Sequence, residues 1–233
     1  MRGLLLAAGL GTRLRPLTDT VPKAMVDIAG QPLLGRWLEM LFQGGIERVL
    51  INTHYLGSVI QGFVRSSPWS GAVDLVDEAA LLGTGGTLLA NRAWFGEGPL
   101  LVTHGDNASD LDVAGFIQTH AARPRHVVAT MALFRTDHPQ SCGIVLMDRD
   151  HIVREFHEKK ANPPGDLANA AAFIFEPEIF AYLEAAGKGV VDLSAEIIPQ
   201  LMGRIQGFEI EGYHRDIGTP ESLEMARRYY RNA

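Results

Sequence analysis

The stretch Leu4-Leu5-Leu6-Ala7-Ala8-Gly9-Leu10-Gly11-Thr12-Arg13-Leu14-Arg15, closed downstream by Pro22-Lys23, decides how the rest of the chain is read. An apolar run that stops abruptly at alternating glycines reads as a buried strand feeding a tight turn. Arg13, Arg15 and Lys23 then bring fixed positive charge within a short distance. Glycines without a Cβ let backbone N–H groups approach anionic oxygens, and the cations add full charges, so the segment suits a polyphosphate. A P-loop would place Lys and Ser or Thr directly after its second glycine, where Gly11 is followed by Thr12-Arg13. A dinucleotide fingerprint would need a third glycine where Leu14 stands, and it carries no basic cluster.

The positive charge is local. Across 233 residues the formal net charge is -6, which argues against non-specific binding to nucleic acid or an anionic membrane. Residues 1–25 nevertheless hold Arg2, Arg13, Arg15 and Lys23 against Asp19 alone, a pattern expected for a small anionic ligand. With 46% hydrophobic residues the chain can bury a substantial core. The single cysteine, Cys142, allows no internal disulfide, and no spaced Cys/His set indicates zinc, so a cytoplasmic location is expected. The first apolar run is too short for a membrane span and lacks a signal-peptide pattern.

Beyond the loop, helical spacing runs from Leu33 to Leu41 and ends at Gly44-Gly45. Short strands are expected at Val49–Ile51 and Val73–Val76, helices at Ser58–Val64 and Thr84–Arg92, and a buried strand at Pro99–Thr103 ending in His104-Gly105-Asp106. Strands alternating with helices imply an α/β fold with a doubly wound, mainly parallel sheet, in which ligands sit beyond the carboxyl ends of strands. The second half changes character, with extended runs at 127–134, 143–147, 152–156 and 170–175, then helices at 177–186, 194–202 and 220–230. One domain over 1–233 is expected, its β-rich second part extending the sheet and walling off an acceptor site.

The ordered string through Lys23 resembles the opening signature of the sugar-1-phosphate nucleotidylyltransferases, and the whole chain is similar to that family, nearest to short bacterial mannose-1-phosphate guanylyltransferase-like members. The resemblance implies a Rossmann-like nucleotidyltransferase fold, related to glycosyltransferase-A folds, with residues 1–125 binding NTP and 126–233 binding sugar phosphate. The chain is too short for the C-terminal β-helix of longer members. The family's pattern places the nucleotide on Leu6, Ala7, Ala8, Gly9, Gly11, Thr12, Arg13 and Lys23, and on the Gly83-Thr84 segment. Glu78 holds the position that often faces the base, and a carboxylate can accept from two guanine N–H groups where uracil offers one, which favours GTP. Asp106 and Asp216, the latter in Asp216-Ile217-Gly218-Thr219-Pro220, match the carboxylates that bind Mg²⁺; as alternatives, each aspartate caps a following helix.

On the acceptor side, Phe156-His157-Glu158-Lys159-Lys160 resembles Phe-x-Glu-Lys-Pro, which assigns Glu158 to sugar hydroxyls and Lys159 to the sugar phosphate. Asn107, Gly143 and Asn169 complete the sugar-phosphate set. Lys160, Ala171 and Cys142 depart from the usual proline, glycine and tyrosine. The implied activity joins an NTP to a sugar 1-phosphate with Arg13, Lys23, Asp106 and Lys159 as catalytic groups, in a monomer or homodimer without nucleic-acid or membrane partners. Three other readings remain open: a uridylyltransferase acting on an amino-sugar phosphate, a non-catalytic nucleotide-sugar sensor, and a glycosyltransferase using Asp110-Leu111-Asp112 as its metal pair. His54 and the three tryptophans, Trp37, Trp69 and Trp94, are expected to be structural.

Overall fold

In the computed structural model, which describes residues 1–232, the strand Arg2–Leu6 lies parallel between Arg48–Thr53 and Leu100–His104. Its apolar residues run continuously because both faces are covered: Leu5 packs into one core cluster, while Leu4 and Leu6 pack into the other. Each fully buried leucine contributes about 1.5–3 kcal/mol relative to exposure, so this strand is anchored from both faces of the sheet. Val73–Asp77 extends the parallel set beyond Arg48–Thr53.

The second half joins antiparallel. Leu167–Phe175 pairs with both Leu100–His104 and Ala129–Arg135, and Gly143–Met147 forms a hairpin with Val153–Glu158. Ile205–Glu209 runs parallel to Ala129–Arg135 and completes a nine-stranded sheet. Helices Leu33–Gln43, Gly57–Ser66, Gly83–Ala90, Ile179–Ala185 and Pro220–Asn232 lie where helical spacing places them or close to it, and a further helix, Val113–Ala121, follows the strand Leu100–His104.

Two expected helices differ. The segment expected at 84–92 stops at Ala90 and a short helix, Arg92–Phe95, follows beyond Asn91. The segment expected as one helix over 194–202 is a π turn, Leu193–Ile197, followed by a 3₁₀ turn, Ile198–Leu201. Pro199 accounts for that break, since in a helix interior it has no N–H to donate and its ring meets the carbonyl one turn back.

His120 is 2% exposed in the helix Val113–Ala121, with Nδ1 2.8 Å from Thr130 Oγ1 and Nε2 3.3 Å from a carboxylate oxygen of Glu176. Burial, aided by the Arg123 guanidinium, pushes the imidazole down to about 4, so the folded protein keeps it neutral. Between about 6.5 and 4 the unfolded chain takes up a proton that the folded chain refuses, and stability falls as pH drops through that window, by up to roughly 3 kcal/mol. His120→Gln is expected to flatten the fall in urea midpoint between neutral pH and the acid end of that window. Equal slopes for mutant and wild type would contradict it.

Candidate active site

The carboxyl ends of Arg2–Leu6, Arg48–Thr53 and Leu100–His104 open into a cavity of about 290 Å³. Leu6, Ala7, Ala8, Gly9, Lys23, Glu78, Gly83, Thr84 and Asp106 line it, all of them expected from the sequence. Asn52, 3% exposed at the next strand end, shapes its floor: its Oδ1 accepts from Ala7 N at 2.8 Å and its Nδ2 donates to Glu78 at 3.0 Å. Glu78 Oε1 also accepts from the Thr87 hydroxyl, whereas Oε2 has only the Leu82 N–H at 3.4 Å. One carboxylate oxygen is therefore engaged by the protein, and the other remains a strong acceptor at the cavity wall. A Cβ on Gly9 would meet nothing within 4 Å, so packing does not require glycine there. Gly9→Ala is expected to leave the unfolding midpoint unchanged while weakening ligand binding in this cavity about tenfold in KM, because Gly9 lines the cavity and a methyl there takes space that no protein atom fills. An unaltered KM would remove Gly9 from the ligand's path.

The carboxylates of Asp106 and Asp216 meet on one ammonium. Lys23 Nζ donates to Asp106 Oδ2 at 2.8 Å and to Asp216 Oδ1, and the Lys23 side chain is only 7% exposed. Burial alone would push the lysine down, but the charges and hydrogen bonds of both aspartates outweigh it and hold the ammonium above its ordinary range. Burial likewise tends to raise Asp106, and the charges of Lys23 and His104 with the Lys23 hydrogen bond carry it below the usual carboxylate range. Neither aspartate is a helix cap: Asp112 caps Val113–Ala121, accepting from Gly115 N at 3.0 Å, and the final helix opens with a Thr219–Ser222 turn. Asp216 instead sits in a ribbon of His214–Asp216 against Asn107–Ser109, opposite Asn107. Arg13 reaches Asp216 Oδ2 at 3.1 Å, and a Cβ on Gly218 would fall 2.4 Å from that guanidinium, so only glycine leaves room for the pair. Two carboxylates already converging on one cation form an all-oxygen donor set that fits Mg²⁺ together with phosphate oxygens and water. Among the described residues no cluster of three or more His, Cys, Asp or Glu could hold a metal, so such an ion would need oxygens from the substrates.

A second cavity, of about 350 Å³, adjoins the first through Thr84, His104 and Asp106. It brings together Arg13, Asn107, Gly143, Glu158, Lys159, Asn169 and Asp216 with Asp192, Ser194 and His214, which sequence reasoning missed. Gly143 serves Glu158 directly: a Cβ there would lie 2.6 Å from Glu158 Oε2 and 2.5 Å from the Phe156 ring. Its space is filled by the protein's own side chains, so its first effect is to seat the carboxylate. His214, with Nδ1 3.0 Å from Ser109 Oγ, is pushed down to about 4, first by burial against the partial opposition of Asp216, and so presents a neutral ring.

The model of the family described as nucleotidyl transferase matches residues 2–233. The chain belongs to that family. It is 33% identical over 94% of its length to a mannose-1-phosphate guanylyltransferase of Mycobacterium tuberculosis, of which it spans 62%. It is 32% identical to an N-acetylmuramate alpha-1-phosphate uridylyltransferase of Neisseria meningitidis serogroup B, covering 97% of each chain. Its fold matches HddC from Yersinia pseudotuberculosis, solved as a complex with GMP-PN, with a TM-score of 0.81 and 26% identity over 98% of this chain and 99% of that one.

Within this nucleotidyl transferase some expected residues stand apart. Gly11 and Thr12 line neither cavity; the Gly11 carbonyl accepts from Leu14 N and the Thr18 hydroxyl and so shapes the turn. Arg15 pairs with Asp19 at 3.2 Å on the surface. His54 Nδ1 lies 2.6 Å from the Glu78 carbonyl, and Trp37, Trp69 and Trp94 pack against the core, consistent with structural roles. Ala171, standing where the family usually has glycine, has a φ of 54°, at the register shift of Leu167–Phe175. A left-handed alanine costs about 1–2 kcal/mol against glycine, partly offset by glycine's freer unfolded chain. Ala171→Gly is expected to stabilise the protein by about 0.5–1 kcal/mol in urea unfolding. A loss of stability would show that the methyl has a packing role.

Proposed function

We propose that this nucleotidyl transferase condenses a nucleoside triphosphate, GTP in preference, with a sugar 1-phosphate of the mannose 1-phosphate type, giving an NDP-sugar and pyrophosphate. One observation carries the reading: the loop cavity and the Glu158–Lys159 cavity share Asp106 as a common wall, so two anionic substrates can meet there. An oxygen of the sugar phosphate attacks the α-phosphorus in line, the bond to the β-phosphate oxygen breaks, and its electrons leave with pyrophosphate. The nucleophile is already an anion, so the protein's work is to position it and neutralise charge. Lys159, 67% exposed, receives the incoming phosphate and Glu158 the sugar hydroxyls. Lys23 meets the α-phosphate or the bridging oxygen. Arg13, 66% exposed and tied to Asp216 by an exposed pair worth little, turns readily to the β- and γ-phosphates. Mg²⁺, held by Asp106 and Asp216, would neutralise charge developing on the phosphates.

Guanine preference draws on the GMP-PN complex of HddC; with Oε1 of Glu78 taken by Asn52 and Thr87, only Oε2, which accepts from Leu82 N–H at 3.4 Å, is left to meet a base N–H, so Glu78 alone does not separate guanine from uracil. Reading the chain as one domain, we assign the NTP to residues 1–125 and the sugar phosphate to 126–233, and the lone Cys142 suits a cytoplasmic setting. A UTP-dependent alternative acting on N-acetylmuramate 1-phosphate draws on the relative that matches nearly end to end. The sensor reading is disfavoured because Arg13, Lys23, Asp106, Lys159 and Asp216 are all in place, and the glycosyltransferase reading because Asp112 is occupied as a helix cap. A grid of NTPs against sugar 1-phosphates, read by pyrophosphate release, tests the proposal. GTP with mannose 1-phosphate should give the highest rate; release with UTP alone would overturn the guanine preference, and none with any pair would overturn the activity.

A further inference from the structure

The ribbon that carries Asp216 is short. His214–Asp216 and Asn107–Ser109 form a separate two-stranded sheet, three residues on each side, and an isolated pair of that length is marginal in water. Something beyond its own ladder must hold it.

Asp110 stands at the end of that ribbon. Its N–H donates to the Tyr213 carbonyl at 2.8 Å, and its Oδ2 accepts from Tyr213 N at 3.1 Å. The hydroxyls of Tyr229 and Tyr230, from the last turns of Pro220–Asn232, donate to Oδ2 at 2.8 Å and Oδ1 at 2.7 Å. The Tyr229 ring stacks on Tyr213 with centroids 4.4 Å apart, and Tyr230 lies under the Arg36 guanidinium at 4.5 Å. One carboxylate thus joins the residue after Asn107–Ser109, the residue before His214–Asp216, and the C-terminal helix.

We propose that Asp110 is a positioning residue for Asp216: clasped by Tyr213, Tyr229 and Tyr230, it fixes the register in which the ribbon presents the Asp216 carboxylate opposite Asp106. The inference rests on the reading of Asp216 as a metal-holding carboxylate. Asp110 itself lines neither substrate cavity. Groups that orient a metal's ligands change metal affinity or activity by about 10–100-fold when removed.

The test uses Mn²⁺ titrated into protein with GTP and no sugar phosphate, read by the electron paramagnetic resonance signal of free Mn²⁺. Tyr229→Phe with Tyr230→Phe keeps both rings and removes two donors; Asp110→Ala removes the acceptor; Asp110→Asn retains one acceptor oxygen; Asp216→Asn is the control. The double tyrosine variant and Asp110→Ala should stay folded, weaken Mn²⁺ about tenfold and lower kcat, with recovery at saturating metal and the KM for GTP within about threefold of wild type. Asp110→Asn should fall between Asp110→Ala and wild type. If Asp216→Asn loses Mn²⁺ while the folded tyrosine variant binds it as wild type does, the clasp is only structural and the inference is overturned. If Asp216→Asn binds Mn²⁺ normally, the metal reading itself fails and the inference goes with it.

Discussion

Lys23→Ala is expected to lower pyrophosphate release at least a hundredfold, the effect of losing one preorganised charge contact worth about 3 kcal/mol in the transition state. The ammonium is buried, aimed at both cavities' common wall and held protonated by two carboxylates. It reaches that position without reorganising when the substrates arrive. A second signature separates this role from simple support of the fold. Without Lys23, Asp106 loses its ammonium partner and Asp216 keeps only the exposed Arg13 pair, so two part-buried carboxylates face one another with much of their compensation gone. The variant should therefore melt at a lower temperature than wild type in chelator and regain more of its stability than wild type when Mg²⁺ is added. The rate, which needs the ammonium on phosphate, should stay low. Turnover close to wild type, or stability indifferent to Mg²⁺, would contradict the assignment.

What was legible in the sequence and what was not divide along the range of the interactions. Leu6 to Gly9, Lys23, Asp106 and Lys159 announce themselves locally, as charge or glycine near the end of an apolar run, and all line a cavity. The alternative in which Asp106 and Asp216 cap helices is a fair local reading; Asp112 and Thr219 take those places, and the pairing of Asn107–Ser109 with His214–Asp216, across more than a hundred residues, gives Asp216 its position. Such three-residue strands are too short to show a period. Asn52 was hidden for a related reason: its side chain ties the loop at Ala7 to Glu78, a bond between strand ends that no spacing reveals. Asp192 and Ser194 enter the acceptor cavity on a π turn whose sequence reads as the start of an α-helix. Asp110 and Asp112 resemble a metal pair on spacing alone; the fold spends one on three tyrosines and the other on a helix N-terminus.

Asp106→Ala is expected to cost at least about a hundredfold in kcat, with kcat/KM for each substrate falling in parallel. The parallel fall follows from where Asp106 sits. It belongs to both cavities, but the loop, Glu78 and Lys23 remain to bind the NTP, and Lys159 and Glu158 remain to bind the sugar phosphate. Ground-state binding should therefore survive while stabilisation of the transferring phosphate does not. Asp106→Asn sharpens the comparison, since it keeps the shape and a hydrogen-bond acceptor for Lys23 but removes the charge. If charge on the cation at the shared wall matters, the asparagine variant should be nearly as slow as the alanine variant, and a higher Mg²⁺ concentration should recover only part of the rate. Recovery to wild-type turnover in Asp106→Asn would mean that Asp106 acts through its hydrogen bond to Lys23 alone. Asp216, 47% exposed and already shared with Arg13, has more freedom to be replaced by water or phosphate oxygens, so its asparagine variant should lose less than that of Asp106.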